Sequence, residues 1–274
     1  MKRDDCQLVA ELCEARAGLR VDADKVYLVE SRLGPIARRE AFGSIEDMLQ
    51  AVRARRDERL IWAVVEAMTI REASFFRDGA PFDHFRDVLL PRLAAARETR
   101  PIRVWSASCG SGQEIYSLAI AADEQRPSLA GARVELFASD LSERSLEKAQ
   151  SGLYTQFEVQ RGLRIRQLVQ HFEKSEEMWR LSPRIRQMVR WRRMNLISDL
   201  SGLGRFDVIF CRYLLGAMVE HARRRVLESL AMLLEPDGAL YLGADEAPCG
   251  VGAVRGSAEC PGLFVPDPAW RAAA

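Results

Sequence analysis

Histidine is scarce: only His84, His171 and His221 occur among 274 residues. None adjoins a candidate nucleophile in sequence, which leaves little from which to build a His-centred hydrolase or a histidine metal site. Cysteine pairs are lacking too. Cys6, Cys13, Cys109, Cys211, Cys249 and Cys260 form no C-x-x-C motif and have no histidine at zinc-finger spacing. Reduced, buried thiols are therefore expected, in a chain long enough to do without disulfides. Neither sign of charge dominates, since 40 Lys+Arg against 39 Asp+Glu leave a formal net charge of +1. That balance argues against a protein that coats nucleic acid or an anionic membrane. No uninterrupted apolar run approaches the ~20 residues that span a bilayer. Asp4, Asp5, Glu11 and Glu14 interrupt the first residues, where a signal peptide needs an apolar core. A cytoplasmic protein is expected.

With 48% apolar and 29% charged residues, the composition is that of an ordinary soluble globular protein, and the length allows a small domain plus a larger one. Residues 1–80 read as a helical domain. Cys6–Ala17, Asp24–Ala41, Ser44–Arg55 and Glu58–Thr69 carry apolar residues at three- and four-residue spacing. Ser44 resembles an N-cap, and Gly18, Gly43 and the turn near Asp57 mark the breaks. Phe82 to about Glu98 predicts a further helix. From Ile102 the pattern changes to short apolar strands alternating with amphipathic helices. Strands are expected at 102–107, 133–139, 189–194, 206–211 and 239–243, with helices at 114–123, 142–150 and 220–234. This alternation argues for an α/β fold over residues 81–274, a parallel sheet with helices on both faces. Ligands of such sheets lie beyond the carboxyl ends of the strands. An arginine-rich insertion, about 151–190, interrupts the alternation; Glu158 to Arg193 holds ten Lys+Arg and four Asp+Glu. It is either a subdomain with a solvated basic face or a docking surface for an acidic partner. The residues after Pro266 read as a frayed tail.

The most informative stretch is Val104–Leu118, a strand running through small residues directly into a helix. Glycines at 110 and 112 permit a sharp turn and a close approach of backbone to ligand. The dinucleotide fingerprint wants a third glycine where Ile115 stands, and an acid ~20 residues on; Asp140 lies 28 residues past Gly112. A strand ending in Ser139-Asp140 still suits a nucleoside-containing cofactor, because a carboxylate there accepts both ribose hydroxyls.

Several stretches occur together and in order: Asp24–Leu33, Glu66-Ala67-Met68-Thr69, Ser74-Phe75-Phe76-Arg77-Asp78, Trp105-Ser106-Ala107, Gly112-Gln113-Glu114, Tyr116-Ser117, Phe137-Ala138-Ser139-Asp140, Phe210-Cys211-Arg212 and Pro236-Asp237-Gly238. In these the chain resembles the CheR family, S-adenosylmethionine-dependent methyltransferases that esterify glutamates on bacterial chemoreceptors. The resemblance implies a Rossmann-like class I methyltransferase domain, with a small N-terminal all-α domain and an inserted small β-subdomain. It implies S-adenosylmethionine as cofactor, S-adenosylhomocysteine as product, and the cytoplasmic helices of methyl-accepting chemoreceptors as partner, with a monomer expected and no metal. It assigns cofactor contacts to Arg77, Gly112, Glu114, Asp140, Asn195, Leu196, Arg212 and Tyr213. Asp140 would hold the ribose, Asn195 and Leu196 frame the adenine, and Glu114 lie near the methionine end. Arg77 is also the catalytic candidate, pinning a substrate or methionine carboxylate by a charge-assisted bond. Receptor docking would fall to Lys25, Arg32, Arg38, Arg39, Arg53, Arg55 and Arg56.

The chain also departs from the family pattern. Arg71-Glu72-Ala73 stands where the family has Asn-x-Thr, Tyr213 follows Arg212 where it has Asn, and Ala217 replaces a Tyr. These changes point either to re-engineered contacts or to a weakened, cofactor-binding module. A nucleic-acid methyltransferase is the other alternative, but the Asn/Asp-Pro-Pro-aromatic turn of such enzymes is replaced by Cys211-Arg212-Tyr213-Leu214. Some CheR relatives tether a receptor-tail pentapeptide to their insert through a glycine-containing loop. The corresponding Phe172–Trp179 has no glycine and carries charges, which predicts a pentapeptide-independent enzyme.

Overall fold

One-sided apolar spacing turns the N-terminal residues into the helices Arg3–Ala17, Val26–Arg39, Ile45–Arg55 and Glu58–Ala67. The computed structural model describes residues 1–55, 57–69, 72–129, 131–248 and 250–273. Arg56, Arg71 and Cys249, with the side chain of Arg55, lie outside the described residues. Two compact units are present, residues 1–70 with 216–225 and residues 71–215 with 226–274.

In the first unit Val9, Val29, Leu33, Met48, Leu49 and Val64 are fully buried. Ser44 caps the third helix by accepting the Asp47 N–H at 3.0 Å, and Asp57 caps the fourth. Gly18 closes the first helix in the left-handed conformation, φ 64°. Cys6 and Cys13 are buried free thiols, and burial pushes Cys13 up to about 12. Two cations expected on a docking face serve the unit itself: Arg32 donates to the Met68 carbonyl at 2.7 Å, and Arg53 pairs with buried Asp5 at 2.9 Å. Lys25, Arg38 and Arg39 are exposed. Ala217 belongs to this unit, where its carbonyl accepts the Arg20 N–H at 2.7 Å.

Among the described residues the second unit contains ten strands: β1 (Ile102–Ser106), β2 (Val134–Asp140), β3 (Leu153–Thr155), β4 (Phe172–Ser175), β5 (Met178–Leu181), β6 (Val189–Arg193), β7 (Phe206–Phe210), β8 (Leu234–Tyr241), β9 (Val254–Gly256) and β10 (Leu263–Pro266). Seven form one sheet in the order β6-β2-β1-β7-β8-β10-β9. The first five run parallel, and β10 is antiparallel to both β8 and β9. The sheet is thus mixed rather than wholly parallel, because the short segments 254–256 and 263–266 return as an antiparallel pair. Strand β7 is buried at all five residues, as a strand covered on both faces must be. The strand expected at 239–243 begins earlier, and Pro236-Asp237-Gly238 bulges within its pairing to β7. Ser142 caps the helix Glu143–Ser151 as expected, accepting the Ser145 N–H at 3.3 Å.

Other details differ from the sequence reading. The first unit ends at residue 70 rather than 80, because Phe75 is buried in the second core, edge-on to Tyr154 and Phe172. The helix expected from Phe82 starts at Ala80 and widens to a π-helical turn at Phe85–Leu89, just before Pro91, which has no N–H to donate. The tail is not frayed: Pro268–Ala273 is helical, and Asp267 caps it by accepting the Ala269 N–H at 2.8 Å. The insertion folds as the antiparallel sheet β3-β5-β4, with the helices Gln156–Gln160 and Ile165–His171.

At the N-terminal end of β7, Asp207 is fully buried. It accepts Arg97 Nε at 2.8 Å, Arg100 Nη2 at 2.9 Å and the Arg103 N–H at 2.8 Å, joining the chain before β1 to β7. Asp207→Ala is expected to cost about 3 kcal/mol, since removing one partner strands the other charges. Urea unfolding should show a lower midpoint at unchanged m; an unmoved midpoint would refute the assignment.

Candidate active site

The loops after β6, β2, β1, β7 and β8 gather at one edge of the sheet. Strand order reverses between β1 and β7, the crevice where α/β sheets bind ligands. The loop after β1 is tied to the end of β2: the Cys109 N–H donates to the Ser139 carbonyl at 2.9 Å, and the Gly110 N–H donates to Asp140 Oδ2 at 2.9 Å. Asp140 Oδ1 accepts the Ser142 N–H at 2.9 Å, so the buried carboxylate is fixed in orientation. Gly112 sits at φ 95°, where a Cβ would lie 2.8 Å from that of Ala149. Only glycine fits. The Met194 N–H donates to the Asp140 carbonyl at 2.9 Å, and Asn195 and buried Leu196 follow directly in the chain.

A second cluster surrounds Arg212, whose side chain is 1% exposed. It donates to Glu114 Oε2 at 3.4 Å, to the Arg77 carbonyl at 2.9 Å and to the Asp78 carboxylate. Glu114 also accepts the Ser106 hydroxyl at 2.8 Å. Burial pushes its carboxyl above the ordinary range, against the pull of Arg212 and Ser106. Tyr213 has a left-handed backbone, φ 62°; its ring lies against the Arg77 guanidinium and its hydroxyl donates to Asp78. Arg77 Nη1 donates to the Glu72 carbonyl at 3.0 Å.

All eight residues singled out from the sequence lie in the second unit. Arg77, Glu114, Arg212 and Tyr213 form one network, while Gly112 and Asp140, followed by Asn195 and Leu196, line the other part. Ala73 faces the glycine loop, with its Cβ 3.9 Å from where a Gly110 Cβ would stand. Sequence reasoning missed four members. Asp78 was visible as the residue after Phe-Phe-Arg, and Glu246 only as a carboxylate just past β8. Ser106 was visible as the last residue of β1. Gly162 carried no signal, yet at φ 99° a Cβ there would lie 1.7 Å from the Phe75 carbonyl oxygen, so the insert rests directly on the turn that leads to Arg77.

Residues 71–252 match the family described as CheR methyltransferase, SAM binding domain, and residues 4–69 match its all-alpha domain. The chain belongs to the CheR methyltransferase family. Chemotaxis protein methyltransferase 1 of Pseudomonas aeruginosa is 36% identical over 247 residues, 89% of this chain and 90% of that protein. Chemotaxis protein methyltransferase 1 of Vibrio cholerae is 36% identical over 253 residues, covering 91% and 90%. Chemotaxis protein methyltransferase Cher2 of Pseudomonas putida is 34% identical over 238 residues, covering 85% and 86%. The fold, with its helical unit, mixed sheet and small antiparallel insert, is that of a Rossmann-like CheR methyltransferase, and S-adenosylmethionine is its cofactor.

The raised Glu114 carboxyl gives a pH signature. Its proton is held more tightly in the folded than in the unfolded chain, where the ordinary value is 4.5. Stability from this group is full below that value and is lost as pH rises through the folded one. Glu114→Gln should therefore gain stability relative to the parent as pH rises from about 4.5 towards neutrality. Parallel stability curves for the two proteins would contradict it.

Proposed function

We propose that this enzyme transfers the methyl group of S-adenosylmethionine to glutamate side chains of chemoreceptors, forming methyl esters. The observation that supports it best is the glycine loop hydrogen-bonded to Asp140 beside the pair of half-buried Glu114 and buried Arg212. The residues fit the cofactor. Gly112, where a Cβ would lie 2.8 Å from that of Ala149, lets the glycine loop pack close against the helix Glu143–Ser151, and two oriented oxygens of Asp140 suit a ribose diol. Asn195 and Leu196 frame the adenine with one polar and one apolar side chain. The Glu114 carboxylate, held by Arg212 and the Ser106 hydroxyl, keeps acceptor capacity that suits the methionine ammonium. The cofactor supplies the methyl as a sulfonium substituent, whose positive charge vanishes on transfer.

The substrate carboxylate is ionised near pH 7, so no base is needed. His84 is hydrogen-bonded to the Tyr241 hydroxyl at 2.7 Å and His171 is buried in the insert, outside the cluster. Arg77 orients the incoming carboxylate; holding nucleophile and methyl in line supplies up to roughly 7–11 kcal/mol. Calorimetry tests the site. Asp140→Ala should weaken S-adenosylmethionine binding by about 1–3 kcal/mol, the cost of orphaned hydroxyls. Undiminished affinity would remove Asp140 from the site. Cofactor binding without methyl transfer to receptor membranes would favour the binding-module alternative.

The substrate search is direct, without a tethered tail. Strand β4 is an edge of the insert sheet, since the order is β3-β5-β4, and its Glu173 and Lys174 are exposed. Charged edges discourage strand addition, whereas peptide capture by augmentation needs an accessible edge. Docking falls instead to the exposed cations of the first unit, Arg38 and Arg39 above all. Deleting a receptor's terminal pentapeptide should leave the methylation rate unchanged, while reversing Arg38 and Arg39 to Glu should raise the receptor KM in a salt-sensitive manner. Micromolar binding of the free pentapeptide would overturn this reading.

A further inference from the structure

Resting on the reading of Arg77 above, we propose that Tyr213 is a positioning residue, whose ring fixes the plane of the Arg77 guanidinium so that its edge is presented to the substrate carboxylate. The Arg77 Cζ lies 3.5 Å from the ring centroid, against 5.2 Å for that of Arg212. At that separation the two planar groups lie face against face. A cation–π contact engages the face of a guanidinium, whereas its N–H bonds radiate from the edge. Stacking on Tyr213 therefore restrains the long Arg77 side chain without competing for the edge that a carboxylate uses.

The ring is itself held from several sides. The left-handed backbone, φ 62°, is strained for a tyrosine. Glu246 Oε2 sustains it by accepting the Tyr213 N–H at 2.7 Å, and the same oxygen accepts the Gly243 N–H at 2.8 Å. A Cβ on Gly243 would lie 2.9 Å from ring atom Cδ1, so glycine opens the slot that the ring fills. At the far end the hydroxyl donates to Asp78, the carboxylate that also receives Arg212. A strained backbone, a glycine slot, the Glu246 carboxylate and a hydroxyl anchor all hold one ring, and that ring contacts Arg77.

Steady-state kinetics with receptor membranes, paired with calorimetry for S-adenosylmethionine, test this on five variants. Tyr213→Gly deletes the ring at a φ that glycine adopts freely. It should lower kcat/KM for receptor about tenfold, the order expected of a lost, partly desolvated cation–π contact, with a much smaller change in cofactor Kd. Tyr213→Phe keeps the stack and should restore most of the loss. Gly243→Ala leaves Tyr213 in place but crowds its ring, and should show the same receptor-side loss. On an Arg77→Ala background, Tyr213→Gly should cost nothing more. Full activity of Tyr213→Gly, equal impairment of the Gly and Phe variants, or a loss confined to cofactor Kd would overturn the proposal. With Arg77→Ala impaired, those outcomes leave the role of Arg77 standing. Full activity of Arg77→Ala would instead remove that role, and the proposal with it.

Discussion

The burial of Arg212 is the constraint on which the site depends. A guanidinium that cannot lose its proton must be paired when taken out of water. Here the Asp78 and Glu114 carboxylates and the Arg77 carbonyl converge on it. They come from the turn after Phe75-Phe76 and from the helix after β1, so pairing one charge fixes three segments. The opposite end of β7 repeats the arrangement with the sign reversed, since buried Asp207 collects Arg97, Arg100 and the Arg103 N–H. Between them lie four fully buried apolar residues, Val208–Cys211. The central strand is thus apolar along its length and anchored by ions at its ends, which leaves little freedom for the loop bearing Tyr213.

The helices of the first unit and five strands of the main sheet were legible from periodicity, because each buries one face or both. The turn residues Ser44, Gly18 and Ser142 were legible because their roles are local. Strands β9 and β10 were not. They are three and four residues long, and nothing local distinguishes them from irregular chain until they pair with β8. In the site, Gly112 and Asp140 stood out because one opens a helix and the other ends a strand, Glu114 and Arg212 only through the resemblance, whereas the partnership of Glu246 with Tyr213 joins residues 33 apart in sequence. Pairing across the sheet is invisible to any local pattern.

Two departures from the family acquire a physical setting. Ala73 lies over the glycine loop, where a small side chain is all that the Gly110 turn is asked to accommodate. Tyr213 gives up the amide that the family pattern has at this position and gains an aromatic face, a hydroxyl and a strained backbone. The strain is local, and of the groups that hold it, Asp78 belongs to the stretches that carry the resemblance whereas Glu246 does not. A weakened site would lose contacts without replacing them. This one has replaced a short polar side chain with a supported aromatic one.

The insert bears on the same chemistry through Phe75. Its ring packs edge-on with Tyr154 and Phe172 of the insert, its carbonyl lies under Gly162, and the next residue's N–H donates to the Ser117 hydroxyl at 2.9 Å. Phe76 and Asp78 both adopt left-handed backbones, φ 45° and φ 68°, conformations that non-glycine residues hold only when their surroundings over-determine them. The turn presenting Arg77 is therefore clamped by the insert on one side and by Arg212 on the other. Methyl transfer to a carboxylate demands alignment rather than proton transfer, so a rigid turn serves it better than a mobile one. The insert earns its place by holding that turn, whether or not its own sheet edge ever receives a peptide.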